Sequence, residues 1–532
     1  VAVARREGWS ASGSVWRGPV RSFEIILVLV VLATAVAASA RWLRVPAPSL
    51  LVVAGLLVAL VPGVPTVRVA PDTVSLAVLP PLLYAAGQDL SWRELRPVWR
   101  PVAVLAVGLV VASAAAAGVV ASAVTPLSPS MAFVLGAVLA STDPVAVTAL
   151  GRRLALPGRL QALIQAESLF NDATSLVLVR VAVGAAVAGG AVSWSRGIGQ
   201  FTLLAGGGVL VGAVIAGGVA TIRRRIEDPV LETVVALVTP YTAYIAAETL
   251  HVSGVTAVVV ASVILAGQVT RLTNAQIRLH LHAVYGTVVF LLESVVFSLI
   301  GLQLPALVRE LGEHSWWWIL QAAAISLTLL AIRAIWVFPL SLVMQARRAG
   351  RPSWRVPAVV SWAGARGVLP LAAALSIPLT AADGSRLAGR DLVLLLTTAV
   401  IVATLVIQGF TLGPLVRRSG VALPPDHAQN EEATARLAMA RAALAYLDQV
   451  ENLEAAPEIV VAQLRHVVQS RLNHADGTGD DLAVPVLRQL RRDLIRVEAA
   501  ELRRLYEDGV ISAATRRQLQ RRLDLEEASL GE

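Results

Sequence analysis

The segment LQALIQAESLFNDATSLVLV, residues 160–179, decides the fold. It is apolar enough to cross a bilayer, yet it carries Glu167, Ser168, Asn171, Asp172 and Ser175. Carboxylates inside a membrane helix are costly unless they face protein or water and have partners, so their default meaning is an ion or proton site. At helical spacing, Gln161, Gln165, Ser168, Asp172 and Ser175 fall on one stripe. Glu167 and Asn171 form a second stripe, roughly 100° to its side.

The rest of the chain supplies the membrane setting. Of 532 residues, 56% are hydrophobic and only 15% charged, where a soluble domain carries about 25% charged residues; mean hydropathy is +0.69. Thirteen apolar stretches approach the ~20 residues a membrane helix needs. They lie near 23–39, 47–63, 70–88, 101–124, 129–150, 160–185, 199–221, 229–249, 252–269, 283–306, 316–344, 357–380 and 391–415. This pattern predicts an all-α polytopic membrane protein of about 13 transmembrane helices. The expected organisation is an N-terminal leader, residues 1–22, a transmembrane domain, 23–416, and a helical cytoplasmic tail, 417–532. Segment 23–39 is long enough to span and lacks a clear cleavage site, which argues against a cleaved signal peptide.

Loop arginines give the orientation. Odd-numbered loops carry seventeen of them, in clusters such as Arg93, Arg96 and Arg100, or Arg223 to Arg225. Even-numbered loops carry five: Arg68, Arg196, Arg309, Arg386 and Arg390. The odd loops and the tail are therefore expected in the cytoplasm, and the N-terminus outside. The net charge of +9 follows this topology and does not point to nucleic acid. There is no cysteine, which excludes disulfides and thiolate metal sites. All 45 basic residues are arginine, so no Walker A lysine exists for ATP-driven transport. No HExxH motif or other catalytic constellation marks an enzyme, and no cofactor is implied.

Two stretches interrupt the helical pattern. The fifth contains Ser141-Thr142-Asp143-Pro144, where a proline removes a backbone bond and frees carbonyls. The twelfth contains Trp362-Ala363-Gly364-Ala365-Arg366-Gly367, then Pro370. Freed carbonyls at membrane depth are tolerated where they line a cavity. One interrupted helix in each half of the chain is a pointer to a transporter with inverted repeats and a midplane site. Arg333 lies within ISLTLLAIRAIWVFPL, far from either end of the eleventh stretch. Arg333 and Arg366 supply two positive charges, and Asp143, Glu167 and Asp172 three negative ones. Buried charges must be paired or neutralised, and the surplus of one is cancelled by one proton or one monovalent cation. That balance suits a 1:1 exchanger in which proton and cation compete for Asp172.

These motifs carry a resemblance. TDPVAV at 142–147, ESLFNDA at 167–173, WAGARG at 362–367 and QGFTLGPL at 408–415 resemble motifs of the monovalent cation:proton antiporter-1 family. LPPLLYAA at 79–86 and the closing LDLEE are similar to its bacterial sodium/proton antiporter branch. The resemblance implies H⁺ exchanged for Na⁺, with K⁺ or Li⁺ as alternatives, across the bacterial plasma membrane by alternating access. Asp172 then corresponds to the aspartate that binds proton and cation in turn, and Ser168 and Thr142 to neutral oxygen ligands of Na⁺. Glu167 resembles the carboxylate that pairs with an arginine of the eleventh helix, here Arg333. Asn171 and Asp143 resemble residues supporting two crossed, discontinuous helices, the fifth and twelfth. The resemblance also implies a homodimer with a scaffold and a mobile core, embedded in lipid.

One departure stands out: many relatives place an acid in the third helix where this chain has Ala85. The chain has instead Glu293, within VVFLLESVVFSLIG of the tenth stretch. Were Glu293 to reach the site, the surplus charge would be two. Arg180 reads as snorkelling from the end of the sixth helix, and Glu232 and Glu248 as solvated at the edges of the eighth. The competing class is a sodium-coupled organic-anion symporter of similar crossed-helix architecture, whose arginines would hold a substrate carboxylate. Beyond the last span, residues 431–473 and 487–507 read as amphipathic helices joined by the linker 474–481.

Overall fold

The computed structural model describes residues 30–40, 42, 46–61, 76–90, 95–143, 156–188, 194–226, 228–268, 275–310, 316–346, 353–381, 384–422, 425–452, 457–475 and 483–508, with scattered positions from 510 to 527. The leader 1–22 and the linker residues 476–481 lie outside them. All thirteen apolar stretches carry helix. In order these are α1 (Val30–Ala40), α2 (Ala47–Ala59), α3 (Leu79–Gln88), α4 (Trp99–Val124), α5 (Pro129–Val138), α6 (Gly158–Val187) and α7 (Trp194–Arg223). There follow α8 (Pro229–Thr249), α9 (Gly254–Ala266), α10 (Ala275–Glu310), α11 (Trp317–Ala346), the pair α12 (Arg355–Trp362) and α13 (Val368–Leu375), and α14 (Arg390–Ser419). Seven of them, α4, α6, α7, α8, α10, α11 and α14, are long and apolar enough to cross a membrane unaided.

The chain divides into two compact units, Val1–Leu423 and Pro424–Glu532. In the first, small residues let helices approach closely, as membrane packing favours. A Cβ on Gly55 would lie 2.2 Å from the Ser298 carbonyl, and one on Gly301 2.2 Å from that of Val52, so α2 and α10 touch backbone to backbone. One apolar cluster joins α4, α5, the end of α6, α11, α13 and α14 through residues such as Ala114, Leu135, Ala182, Ile325, Ala374 and Val400. A second joins α3, α6, α7, α8 and α9 around Tyr84, Leu169, Ala216, Ala243 and Val258. Helix α14 is the most enclosed, 78% of its apolar window being buried, against 17% for α11. The boundary expected at 416/417 falls inside the last turn of α14.

The twelfth stretch is interrupted and α5 ends short of its stretch, neither at a proline. Helix α5 stops at Val138, and residues 141–143 are non-helical, before Pro144 is reached. Between α12 and α13 the break spans residues 363–367. Pro370 sits inside the first turn of α13, where backbone N–H groups have no helical partner and a proline is tolerated. Helix α4 is also irregular: Val104–Leu109 is a π-helical stretch.

The second unit consists of α15 (Pro425–Asn452), α16 (Glu458–Ala475) and α17 (Ala483–Glu507). The single helix expected over 431–473 is two, because Pro457 precedes α16, and proline belongs at a helix start rather than its interior. Arg465 of α16 reaches Asp448 at 2.5 Å and Glu451 at 2.7 Å on α15, tying the two together.

Candidate functional site

The polar stripe of α6 meets the end of α5 and the non-helical residues after it. Helix α5 ends early, so carbonyls near its end are left with weak or no i+4 donors, and α6 hydroxyls add donors there. Ser175 Oγ donates to the Ala137 carbonyl at 2.7 Å, and Ser168 Oγ donates to that of Thr142. Asn171 closes a two-way contact with Thr142: its Nδ2 donates to Thr142 Oγ1 at 2.7 Å, and its Oδ1 accepts from the Thr142 N–H at 3.4 Å. All four side chains are buried. A serine hydroxyl that donates to a carbonyl keeps its lone pairs free, so Ser168 can still act as an oxygen ligand.

The second break is stitched to the first. The Asp143 N–H donates to the Ala365 carbonyl at 2.8 Å. Arg366 Nε donates to the Leu139 carbonyl at 2.8 Å, its Nη1 to the Gly364 carbonyl, and its backbone N–H to Thr404 Oγ1 at 3.2 Å. Arg366 is thus bonded to carbonyls at both breaks, and the expectation that a carboxylate consumes it is corrected: freed carbonyls are the nearer acceptors. Two glycines make the approach feasible. A Cβ on Gly367 would fall 1.5 Å from Asp143 Oδ2, and one on Gly364 2.7 Å from Cδ and Nε of Arg333.

Arg333 reaches in from the middle of α11. Its Nη1 and Nη2 donate to the two oxygens of Glu167 at 2.6 and 2.8 Å, and its Nε to the Val360 carbonyl at 3.1 Å. Both partners are buried, at 3% and 1% exposure, and the bidentate fork is the strong form of such a pair. Asp172 differs. It is buried, within Coulombic reach of Asp143 and Glu167, and among the described residues its carboxylate enters no ion pair or hydrogen bond. A crevice beside the Glu167–Arg333 pair, lined by Thr142, Glu167, Asn171, Arg333, Arg366 and α4 residues including Leu105 and Ser113, is too narrow for a water-sized sphere. Glu293 is half-buried and within Coulombic reach of Asp143. Ala85 lies on α3, whose Gln88 Nε2 donates to the Ser262 carbonyl of α9 at 2.9 Å.

Two charged pairs elsewhere correct the reading of helix edges. Glu232 is not solvated: it is fully buried and accepts from Nε and Nη2 of buried Arg223 at 2.9 and 2.6 Å. The two close the α7–α8 turn, nine residues apart. Arg180 does not snorkel alone but pairs with Glu248, which also accepts from the Gly254 N–H at 3.3 Å. An arginine-glutamate match across a short turn was the available signal for the first pair; the second joins helices distant in sequence and had none.

Apolar helices enclosing paired charges and freed carbonyls at two helix breaks define a secondary membrane transporter. Residues 26–418 match the family described as sodium/hydrogen exchanger, transmembrane. An uncharacterized Na(+)/H(+) exchanger of Mycobacterium tuberculosis is 33% identical over 504 residues, covering 92% of each chain. The Na(+)/H(+) antiporter ApNhaP of Aphanothece halophytica is 31% identical over 482 residues, 88% of this chain and 89% of that one. In fold, the sodium proton antiporter MjNhaP1 from Methanocaldococcus jannaschii aligns with a TM-score of 0.61 at 18% identity, over 75% of this chain and 99% of that one. The chain belongs to the sodium/hydrogen exchanger family, within the monovalent cation:proton antiporter-1 group. It is a multi-pass membrane protein and a secondary-active cation/proton antiporter rather than an enzyme.

Proposed function

We propose that this antiporter exchanges H⁺ for Na⁺, or K⁺, at Asp172, with Ser168 and Thr142 as neutral ligands of the cation. The observation that carries the reading is the contrast between two carboxylates five residues apart on α6. Glu167 is bound on both oxygens by Arg333, whereas Asp172 has no such partner among the described residues. A buried carboxylate without a fixed counter-charge must take a proton or a cation. Ser168, one turn before Asp172, keeps lone pairs for a cation, and Thr142 lies across from it on the α5 break. Asn171, Asp143, Glu167, Arg333 and Arg366 hold this arrangement.

The exchange is 1:1 and electroneutral in this reading, the single surplus charge of Asp143, Glu167 and Asp172 over Arg333 and Arg366 being met by one proton or one monovalent cation. Thirteen membrane segments in inverted repeats, with fifth and twelfth segments discontinuous and crossed, complete the architecture. The transmembrane domain, residues 23–416, works as a homodimer in the bacterial plasma membrane, with residues 417–532 in the cytoplasm. The arginine distribution over the loops supports that sidedness.

The test is dissipation of a pH gradient in proteoliposomes on addition of Na⁺, K⁺ or Li⁺ alone, with and without an imposed potential. Asp172→Asn is expected to abolish exchange while the purified protein remains monodisperse; retained exchange refutes the assignment. A rate that follows the imposed potential would replace 1:1 with an electrogenic ratio. A gradient that collapses only when an organic anion accompanies Na⁺ would select the symporter.

A further inference from the structure

Away from Asp172 and the Glu167–Arg333 crevice, a cavity of about 390 Å³ opens between the start of α4 and the end of α11. It is lined by Arg96, Trp99, Arg100, Val104, Val343 and Met344, among others. Its walls are not covered by protein: Trp99, Val104 and Val343 are 54%, 43% and 55% exposed. The Arg100 guanidinium lies 5.7 Å from the centre of the Trp99 ring. Among the described residues, neither Arg96 nor Arg100 meets a carboxylate. This loop belongs to the arginine-rich set that the positive-inside rule places on the cytoplasmic side.

The two halves of this cavity ask for different chemistry. Two guanidiniums that meet no carboxylate among the described residues suit an oxyanion, and arginine binds phosphate by paired N–H donors. The valines and Met344 call for hydrocarbon. A free phosphate would leave the apolar wall bare, and a neutral lipid would leave the guanidiniums without a counter-charge. We infer that the cavity binds one anionic phospholipid, its phosphate between Arg96 and Arg100 and the upper part of its acyl chains along Val104, Val343 and Met344. The volume suits a headgroup and its first methylenes, the rest of the chains remaining in the bilayer. Basic pockets between membrane helices on the cytoplasmic side are a known form of lipid recognition, and Trp99 is at home at that depth. The assignment is independent of the role given to Asp172.

The full chain is reconstituted in phosphatidylcholine vesicles containing either brominated phosphatidylglycerol or brominated phosphatidylcholine. Quenching is read as the difference between the parent and Trp99→Phe, which isolates the indole at the site. Brominated phosphatidylglycerol should quench Trp99 preferentially. That preference should fall about fivefold in Arg96→Gln or Arg100→Gln and about thirtyfold in the double variant. The Arg96→Lys, Arg100→Lys pair should keep most of it, and with the single variants it carries the test if the double glutamine variant does not fold. Equal quenching by the two lipids, or an unchanged preference in the single glutamine variants, overturns the inference. Displacement of the lipid by inorganic phosphate also overturns it, in favour of a small-anion site.

Discussion

Replacing Glu167 by glutamine keeps the shape of the side chain and removes its charge. In the parent, both Arg333 Nη atoms donate to carboxylate oxygens, at 2.6 and 2.8 Å. In the variant, one of those oxygens becomes an NH₂ facing another donor. Arg333 then retains its bond to the Val360 carbonyl at 3.1 Å and one amide oxygen, with a full positive charge at 3% exposure. Breaking a buried pair from one side costs about 3–5 kcal/mol. Each kcal/mol lowers Tm by roughly 2–4 °C in a domain of 150–250 residues and by less in a larger one, so a drop of about 5–10 °C is expected. The assay is thermal unfolding of the detergent-purified full chain. The double variant Glu167→Leu with Arg333→Met removes both charges and should recover most of the loss, because it leaves no orphaned ion. A glutamine variant with the parental Tm, or a double variant no better than the single, would refute this account of the pair.

Three further outcomes follow from the same geometry. Gly367→Ala drives a methyl group to 1.5 Å from Asp143 Oδ2, so exchange in proteoliposomes should be lost; a parental rate would mean the two breaks do not need that contact. Asn171→Ala removes both hydrogen bonds to Thr142 and should raise the KM for Na⁺ about tenfold, the equivalent of one to two net hydrogen bonds; an unchanged KM counts against Thr142 as a ligand. Glu232→Ala leaves Arg223 buried and unpaired, so Tm should fall by an amount similar to that of the Glu167 variant. Cation KM should not move with it, and a shifted KM would show that the α7–α8 turn communicates with the site.

Hydropathy made the helices legible, because a bilayer demands long apolar runs whatever their tertiary partners. Every one of the thirteen stretches carries helix, and the order of motifs along the chain is enough to recognise the family. The position of the α5 break was less legible. A proline at 144 is an obvious stop, but α5 ends at Val138 because acceptors and donors on α6 and Arg366 make an earlier ending affordable. The fate of Arg366 was hidden for a related reason. Counting charges finds carboxylates to oppose a guanidinium, while carbonyls freed by another segment's early end leave no mark in composition. Edge residues such as Glu232 misled because distance from a helix end says little about what the neighbouring helices cover. Helical spacing alone set Ser168 and Asp172 one turn apart, and that relation needs no tertiary information.

Arg366 reaches Leu139 and Gly364, and Asp143 reaches Ala365. These bonds act as a splint: α5, the start of α13 and the oxygen groups near Asp172 are fastened into one piece. A substitution that loosens one of these bonds therefore disturbs the ion ligands without touching them, so residues far from any bound cation set how firmly its oxygens are held.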